Sequence, residues 1–395
     1  MIELQDIFNQ YGDEYRDKHN LPHNILRTMG AIEFCRTAKM GGHADECDAC
    51  GHVRISYNSC RNRHCPKCQT IAKERWIENR KEDLLPVGYF HVVFTIPAEL
   101  NFITLLNQRE MYSILFKAVS ETLIELSRDI KYIGAEIGFT TILHTWGQNL
   151  MNHPHIHCIV PGGGLSIDGK RWLNSKKDFF IPVKVISRKF RGKFLYYFKK
   201  EYYSKELKLS GDVADLKGRD EFRVFVDKLY KKEWVVYCKP PFKSSEHVFE
   251  YLGRYTHRVA ISNNRIVKLE NGMVTFKWRD YKNGNAQKFM TVKAEEFIRR
   301  FVMHILPSRF VKIRHYGILS NRSRNLKLKK CKKIIGIISN PGKLSITKLS
   351  VTELLFKLTG IDFRKCPCCK EGTMAPKDDF IPRNGSPPRE IEKTA

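Results

Sequence analysis

The chain has 395 residues, more than one hydrophobic core usually serves, and its 42% of hydrophobic residues is normal for a globular protein. Its charge is unusual, because 69 Lys and Arg residues face 42 Asp and Glu residues, and the net charge of +27 favours nucleic acid first and anionic membrane second as partners. No apolar run is long enough to span a bilayer and the first residues lack the pattern of a secretion signal, so a cytoplasmic location is expected.

Residues 1–86 are predicted to form a helical and zinc-binding module. Apolar side chains recur every three to four positions through residues 1–38, which indicates helices. Residues 39–69 are rich in Cys and His and have too little apolar periodicity to fold around a core of their own. A charged helix is expected over "AKERWIENRKEDLL" and should end at Pro86.

The pattern changes over residues 87–325, which are predicted to form one domain that contains most of the strands. A long amphipathic helix is expected over residues 103–129. The segments with the composition and alternation of strands are residues 89–96, 138–146, 155–160 and 233–238. The fold class predicted from this order is α+β.

Two segments carry most of the excess positive charge. Residues 165–232 are basic and weakly patterned, and are interpreted as an insertion in the second domain. Residues 326–395 form a Lys/Arg-rich tail that ends in a Pro/Gly/Ser-rich stretch and is expected to be partly disordered. Between them, residues 244–258 are typical of a helix with a serine cap, and "RIVKLENGMVTFKW" of a hairpin around Asn-Gly.

Two Cys-x2-Cys pairs lie in "CDACGHVRISYNSCRNRHCPKC". They are Cys47 with Cys50 and Cys65 with Cys68, and fourteen residues separate the pairs. Each such turn can place two thiolates on one tetrahedral ion, so the four cysteines are predicted to bind one structural zinc ion. In a large cytosolic chain, clustered cysteines favour metal binding over disulfides.

A second zinc ion would find ligands in and near the same window. The further ligand-type residues are Cys35, His43, Cys60 and His64. Eight candidates suit two four-coordinate sites, so one or two zinc ions are expected, although these four residues also suit packing or surface positions. Near the end, "KCPCCKEG" offers Cys366, Cys368 and Cys369, which either join distant ligands or remain exposed thiols.

Basic side chains lie among the cysteines. Arg61, Arg63 and Lys67 would project from a rigid metal-bound turn. Contact with DNA phosphates is the functional interpretation, and a plain solvated face is the alternative.

A second metal site is predicted around "NHPHIHC", residues 152–158. Alternate side chains of a strand share a face, so His155 and His157 point the same way and Ile156 points into the core. Gln148 lies at the end of the preceding strand, and antiparallel pairing would bring its amide oxygen alongside His155. Two imidazoles and one oxygen suit Mg²⁺ or Mn²⁺ acting on a phosphate. The other ligands considered are His153 and His91.

A pair of tyrosines lies in "EYLGRYTHR". Tyr251 and Tyr255 are four residues apart and so share one helix face, where aromatic pairs usually belong to the core. Here the neighbours include Arg254 and Arg258, which are candidate DNA contacts. A tyrosine hydroxyl can attack phosphorus and form a phosphotyrosine ester, so the two tyrosines are candidate nucleophiles.

Taken together, these segments resemble the two-tyrosine transposases of the insertion sequence 91 family, within the HUH endonuclease superfamily. The segments that carry the resemblance are "GGHADECDACG", "YNSCRNRHCPKCQ", "HPHIHC", "YLGRYTHRVAISN" and "LPSRFVKIRHYGILSNR". The resemblance implies a nuclease core related to the ferredoxin-like fold, with an antiparallel sheet that carries the histidines. His155 and His157 match the metal-binding pair of the family, and Tyr251 and Tyr255 match its nucleophiles.

The resemblance also implies a function. It implies rolling-circle transposition in a bacterium, with cleavage of single-stranded transposon ends, a 5′-phosphotyrosine link, strand transfer to target DNA, and DNA synthesis by the host replication machinery. Such a protein would lie on the nucleoid when it binds DNA. Two alternatives remain open: a plasmid replication initiator or relaxase with the same chemistry, and a zinc-dependent DNA-binding regulator without enzymatic activity.

Overall fold

The computed structural model describes residues 2–81, 83–176, 180–239, 248, 253, 259–280, 283–336 and 350–380. Within this part of the chain the helices are α1 (Leu4–Lys18), α2 (His23–Glu33), α3 (Gln69–Lys81), α4 (Asn101–Leu106), α5 (Gln108–Arg128), α6 (Val183–Tyr203), α7 (Arg219–Lys231), α8 (Ala294–Val302), α9 (Arg324–Ile335) and α10 (Val351–Thr359). The strands are β1 (Gly42–Cys47), β2 (Val53–Tyr57), β3 (Tyr89–Thr95), β4 (Ala135–Glu136), β5 (Gly138–Trp146), β6 (Asn152–Pro161), β7 (Gly163–Ser166), β8 (Trp172–Asn174), β9 (Val236–Lys239), β10 (Ile266–Glu270), β11 (Met273–Asp280), β12 (Ala286–Lys293), β13 (Ile313–Gly317) and β14 (Met374–Phe380).

The chain divides into two compact units. The first unit comprises Met1–Glu78, His257–Ile305 and Leu344–Ala395, and the second comprises Asn79–Thr256 and Leu306–Lys343. Each unit combines helices with β-sheet, and every strand pair in the described part of the chain is antiparallel. This confirms the predicted mixture of helices with antiparallel sheets.

A five-stranded sheet in the order β13-β5-β6-β3-β9 forms the centre of the second unit. One face of this sheet is apolar and belongs to a core that also includes buried side chains of α5 and α6. Phe94 of β3 and Phe190 of α6 illustrate the packing, with ring centroids 5.1 Å apart. Since side chains alternate along a strand, every second side chain of these strands lies on the opposite face of the sheet.

Residues 165–232, expected to be weakly patterned, contain the helices α6 and α7. The apolar face of α6 consists of aromatic rings at four-residue spacing, Phe190, Phe194 and Phe198, all of them fully buried. Lys and Arg residues between the rings lower the mean hydropathy of this segment, so the four-residue spacing of the aromatic rings is not evident from the average. Within the described residues, no helix has both the length and the apolar character needed to cross a lipid bilayer.

The first unit contains two three-stranded sheets, in the orders β14-β1-β2 and β10-β11-β12. The hairpin predicted around Asn-Gly is confirmed, because Asn271 and Gly272 join β10 to β11 with φ angles of 48° and 73°. Two positive φ angles suit the turn that matches the twist of paired strands. Helices α1 and α8 pack together, with Phe8 and Phe301 at a ring-centroid distance of 5.6 Å.

The described part of the basic tail predicted for residues 326–395 contains regular secondary structure. It contains most of α9, the whole of α10 and strand β14. Helix α10 begins at a capping box of Ser350 and Glu353 and ends at Gly360, whose φ is 70°. Strand β14 pairs with β1 across a very long sequence separation, which no local pattern predicts.

Candidate metal centres and catalytic site

Three imidazoles converge on the polar face of the five-stranded sheet. His144 lies on β5, while His155 and His157 lie on β6, and their potential ligand nitrogens are all within 4.8 Å of one another. The antiparallel register places His144 opposite His155 and Ile142 opposite His157. Ile156, between the two β6 histidines, is fully buried on the other face, as the alternation predicts.

Hydrogen bonds orient two of these rings. Nδ1 of His155 lies 2.6 Å from the carbonyl oxygen of His153, which can only accept, so this nitrogen carries the proton and Nε2 keeps its lone pair. Nδ1 of His157 lies 2.8 Å from Nε2 of His91. Burial, together with the charges of Lys239 and His155, lowers the pKa of His91 to about 3, so His91 is neutral at pH 7. If a neutral His91 accepts from Nδ1 of His157, Nε2 is the nitrogen through which His157 would bind a metal ion.

Gln148 stays a ligand predicted from the sequence. It lies in the turn between β5 and β6, and the partner of His155 across the sheet is His144. The strand register shifts between His144 and Trp146, and Leu150 adopts a φ of 62° in the turn. Strand pairing therefore places His144, and not Gln148, directly opposite His155. His144 is the residue that the sequence reasoning missed, although its position in a predicted strand before "HPHIHC" was a usable signal.

Among the His, Cys, Asp and Glu side chains of the described residues, the donors that converge here are three imidazole nitrogens. Imidazoles suit first-row transition ions, whereas Mg²⁺ prefers oxygen ligands. The additional imidazole of His144 therefore favours Mn²⁺ over Mg²⁺ among the two ions expected. Three protein ligands leave open positions in the coordination shell, which is the arrangement of a catalytic rather than a structural ion.

A cluster of four cysteines lies in the first unit. Its members are Cys35, Cys60, Cys65 and Cys68. The Sγ atom of Cys68 lies 3.6 Å from those of Cys35 and Cys60, and Cys35 and Cys65 are 3.7 Å apart. Four sulfurs at about 2.3 Å from a zinc ion lie about 3.8 Å apart in a tetrahedron, so these distances fit zinc. Hydrogen bonds from the other three thiols hold the pKa of Cys68 well below its usual range, which favours a thiolate.

The structure groups the predicted zinc ligands differently from the sequence. Cys65 and Cys68 are completed by Cys35 and Cys60, whereas Cys47 and Cys50 lie with Cys366 and Cys369. The two Cys-x2-Cys pairs are separated because β2 runs between them and the first pair lies at the end of β1, beside β14.

The two histidines proposed as zinc ligands belong to neither cysteine cluster. His43 lies on β1, where its Nε2 is 3.9 Å from a carboxylate oxygen of Asp45. His64 lies in the turn before Cys65, with its backbone N–H bonded to the side chain of Asn62. Each cluster already contains four thiols, so a tetrahedral shell needs no imidazole.

The basic residues of the first cysteine cluster differ in exposure. Arg61 is exposed and lies in the left-handed region, with a φ of 52°. Arg63 is half-buried, and burial lowers the pKa of its guanidinium. Lys67 donates to the side chain of Gln5 at 2.6 Å and forms an ion pair with Glu3, so its charge is already neutralised. Of the three, Arg61 has the geometry that best suits contact with a phosphate.

The predicted nucleophiles Tyr251 and Tyr255 lie outside the described residues, as do Arg254 and Arg258. Of the helix predicted over residues 244–258, the structure describes residues 248 and 253. The assignment of these four residues therefore remains a prediction from the sequence.

Comparison with known proteins identifies the family. Residues 7–96 match the family model "Transposase zinc-binding domain" of insertion sequence 91, and residues 138–327 match the model "Putative transposase". A Sinorhizobium fredii protein named "Putative transposase y4qJ" is 48% identical over 98% of this chain and 97% of its own length.

More distant comparisons agree with this assignment. The "Transposase for insertion sequence element IS801" of Pseudomonas savastanoi pv. phaseolicola is 27% identical over 75% of this chain and 70% of its own. No solved structure has significant similarity to the chain. The two family models and the long match to the Sinorhizobium protein lead to one conclusion: this chain belongs to the insertion sequence 91 family of transposases.

Proposed function

We propose that this transposase is an HUH-type enzyme that cleaves and rejoins single-stranded DNA at transposon ends through a 5′-phosphotyrosine intermediate. The observation that carries the proposal is the convergence of His144, His155 and His157 on one face of an antiparallel sheet. Three imidazole nitrogens with open coordination positions suit an ion that polarises a phosphate. A regulator that only binds DNA has no use for such a site.

The proposed chemistry uses Tyr251 and Tyr255 as nucleophiles. The phenol oxygen attacks the scissile phosphorus, an O–P bond to tyrosine forms, and the bond from phosphorus to the 3′ oxygen breaks. The leaving oxygen takes up a proton and becomes a free 3′-hydroxyl, which can reverse the reaction at the same or another phosphotyrosine. A bound Mn²⁺ or Mg²⁺ would supply Lewis-acid stabilisation of the phosphate charge. Two tyrosines allow one DNA end to be held while another is cut.

The histidine cluster is built to keep its ligands in one orientation. His91 and the carbonyl of His153 contact the Nδ1 atoms of His157 and His155, so Nε2 is the nitrogen of each ring that would bind the ion. Such partners behind the ligands fix the ring orientation and raise the basicity of the ligand nitrogen. The burial of His144 and His157 reduces the freedom that each ring would lose when an ion binds.

DNA recognition is assigned to the positive charge and to the zinc-binding module. A net charge of +27 favours a polyanionic partner, and the exposed Arg61 next to the first cysteine cluster suits a phosphate contact. Rolling-circle transposition, with DNA synthesis by the host replication machinery, is the process proposed from the family. The antiparallel sheet of the second unit would be the HUH core of this enzyme.

A single-stranded oligonucleotide carrying a transposon end tests the proposal. With Mn²⁺, the full-length protein should produce a shortened strand with a free 3′-hydroxyl and a protein–DNA adduct that survives denaturation. The double replacement Tyr251→Phe and Tyr255→Phe should abolish the adduct but retain DNA binding. Tyr196→Phe is the matched control, because Tyr196 is an exposed tyrosine on α6.

The same experiment distinguishes the alternatives. Tight binding without cleavage under any divalent ion would indicate a DNA-binding regulator. Cleavage that persists after His155→Ala and His157→Ala would show that the histidine cluster is not the catalytic metal site. Cleavage at a plasmid origin, with none at transposon ends, would indicate a replication initiator or relaxase.

A further inference from the structure

We propose that Cys47, Cys50, Cys366 and Cys369 bind a second structural zinc ion that fastens the C-terminal segment to the sheet of the N-terminal module. The matched family models cover residues 7–96 and 138–327, so Cys366 and Cys369 lie beyond both of them. The four sulfurs nevertheless lie within 4.8 Å of one another. The site unites residues that are more than 300 positions apart in the chain.

The distances between the sulfurs fit a tetrahedral ion. The Sγ atoms of Cys47 and Cys369 are 3.7 Å apart, and those of Cys50 and Cys366 are also 3.7 Å apart. Four sulfurs at about 2.3 Å from zinc would lie about 3.8 Å apart. A disulfide requires about 2.05 Å, so neither pair is bonded.

The local backbone supports thiolates at these positions. The backbone N–H groups of Cys368 and Gly372 donate to the Sγ atoms of Cys366 and Cys369, each at 3.3 Å. Gly372 also makes room for the cluster, since a Cβ atom at this position would lie 2.4 Å from Sγ of Cys47.

Strand pairing brings the two halves of the site together. β14 pairs with β1 so that Met374 is opposite Cys47, and Lys377 forms a 2.7 Å ion pair with Glu46. Backbone and side chain of Asp48 both bond to the backbone of Thr373. Two Cys-x2-Cys turns at one end of a three-stranded antiparallel sheet have the arrangement of a zinc ribbon.

The segment around β14 has too few apolar contacts to hold this position alone. The buried cluster at this point consists of Cys47, Cys366 and Met374, with Cys369 packed against it. Three of these four residues are zinc ligands in the proposed site. When so little apolar surface is buried, metal binding supplies most of the folding free energy of the module. The ion is therefore expected to be needed for the C-terminal segment to dock.

The proposal is tested by comparing the zinc content of the full-length wild-type protein with that of a cysteine variant. The double replacement Cys366→Ser and Cys369→Ser should bind one zinc ion fewer per chain than the wild type. Cys368→Ser is the matched control, because Cys368 is an exposed thiol in the same turn that lies outside the cluster, and it should retain the full zinc content. Limited proteolysis should cut the C-terminal segment of the double variant and leave that of the control protected.

A second measurement decides the question even if the double variant does not fold. Wild-type protein loaded with ¹¹³Cd should show two resonances in the range of four-sulfur coordination, one for each cysteine cluster. A single such resonance, an unchanged zinc content in the Cys366→Ser and Cys369→Ser variant, or a disulfide among these four cysteines in the purified protein would overturn the proposal.

Discussion

Replacing His144 with alanine removes the one proposed metal ligand that the sequence did not identify. The ring is buried, stacks on Trp146 with a centroid distance of 4.8 Å, and is one of three imidazoles that can reach the same ion. Loss of a partner behind a metal ligand typically weakens metal binding by about 10–100-fold. Loss of a ligand itself should cost at least the upper end of this range, about 100-fold in the Kd for Mn²⁺, which corresponds to about 2.8 kcal/mol.

In the assay, Mn²⁺ is titrated into the full-length protein. Binding is measured by calorimetry or from the paramagnetic resonance signal of the free ion. Gln148→Ala is the comparison variant, because Gln148 is the third ligand predicted from the sequence and lies in the turn after the same strand, and it should weaken Mn²⁺ binding less than His144→Ala does. His91→Ala should give an intermediate loss of about 10–100-fold, because His91 contacts His157 and is not one of the three converging rings. A greater loss of affinity in Gln148→Ala than in His144→Ala would refute the reasoning.

Four further predictions concern the fold that positions the site. Phe198→Ala should lower the free energy of unfolding by about 3–5 kcal/mol in denaturant titrations, because the ring is fully buried on α6, whereas Tyr196→Ala on the exposed side should change it by less than about 0.5 kcal/mol. Gly192→Ala, within the same helix and with open space around its Cβ position, should stabilise by about 0.5–1 kcal/mol. Gly317→Ala should instead destabilise by more than about 1 kcal/mol, because its φ is 59° and a Cβ atom would clash with the backbone oxygen of Ile137, and a gain in stability would contradict this account. Burial and the charge of Arg80 lower the pKa of His315 to about 4. The neutral ring therefore contributes to the free energy of unfolding above pH 6.5. This contribution should be lost, by up to about 1.4 kcal/mol per pH unit, as the pH falls towards 4. His315→Gln should flatten this dependence in unfolding curves recorded between pH 7 and pH 4.5.

The strands that carry the histidines were predictable from local pattern alone. The strand predicted over residues 138–146 has the same bounds as β5, and residues 89–96 contain the whole of β3. These strands are short segments rich in β-branched and aromatic residues, so composition and length identify them. Helix α6 was not predicted from the sequence, because its large apolar residues are aromatic rings spaced among lysines and arginines. The helical period is visible only when Phe190, Phe194 and Phe198 are compared directly.

The grouping of the metal ligands could not be predicted from the sequence. The spacing shows that a Cys-x2-Cys pair can bind an ion, but the tertiary structure determines which second pair completes the site. Cys47 and Cys50 meet Cys366 and Cys369 only because β14 adds to the edge of the β1–β2 sheet. In the same way, the length and irregularity of the turn after β5 decide whether His144 or Gln148 faces His155, and a local pattern does not give that register.

The most direct test of the proposed function is to identify the residue of the protein that becomes covalently joined to the DNA. Full-length protein should be reacted with a single-stranded transposon end and Mn²⁺, digested with protease and nuclease, and analysed by mass spectrometry. The proposal predicts a nucleotide joined through its 5′-phosphate to Tyr251 or Tyr255, and no such product after His155→Ala and His157→Ala. A stable adduct on a different residue, or an unchanged adduct when both tyrosines are phenylalanine, would contradict it.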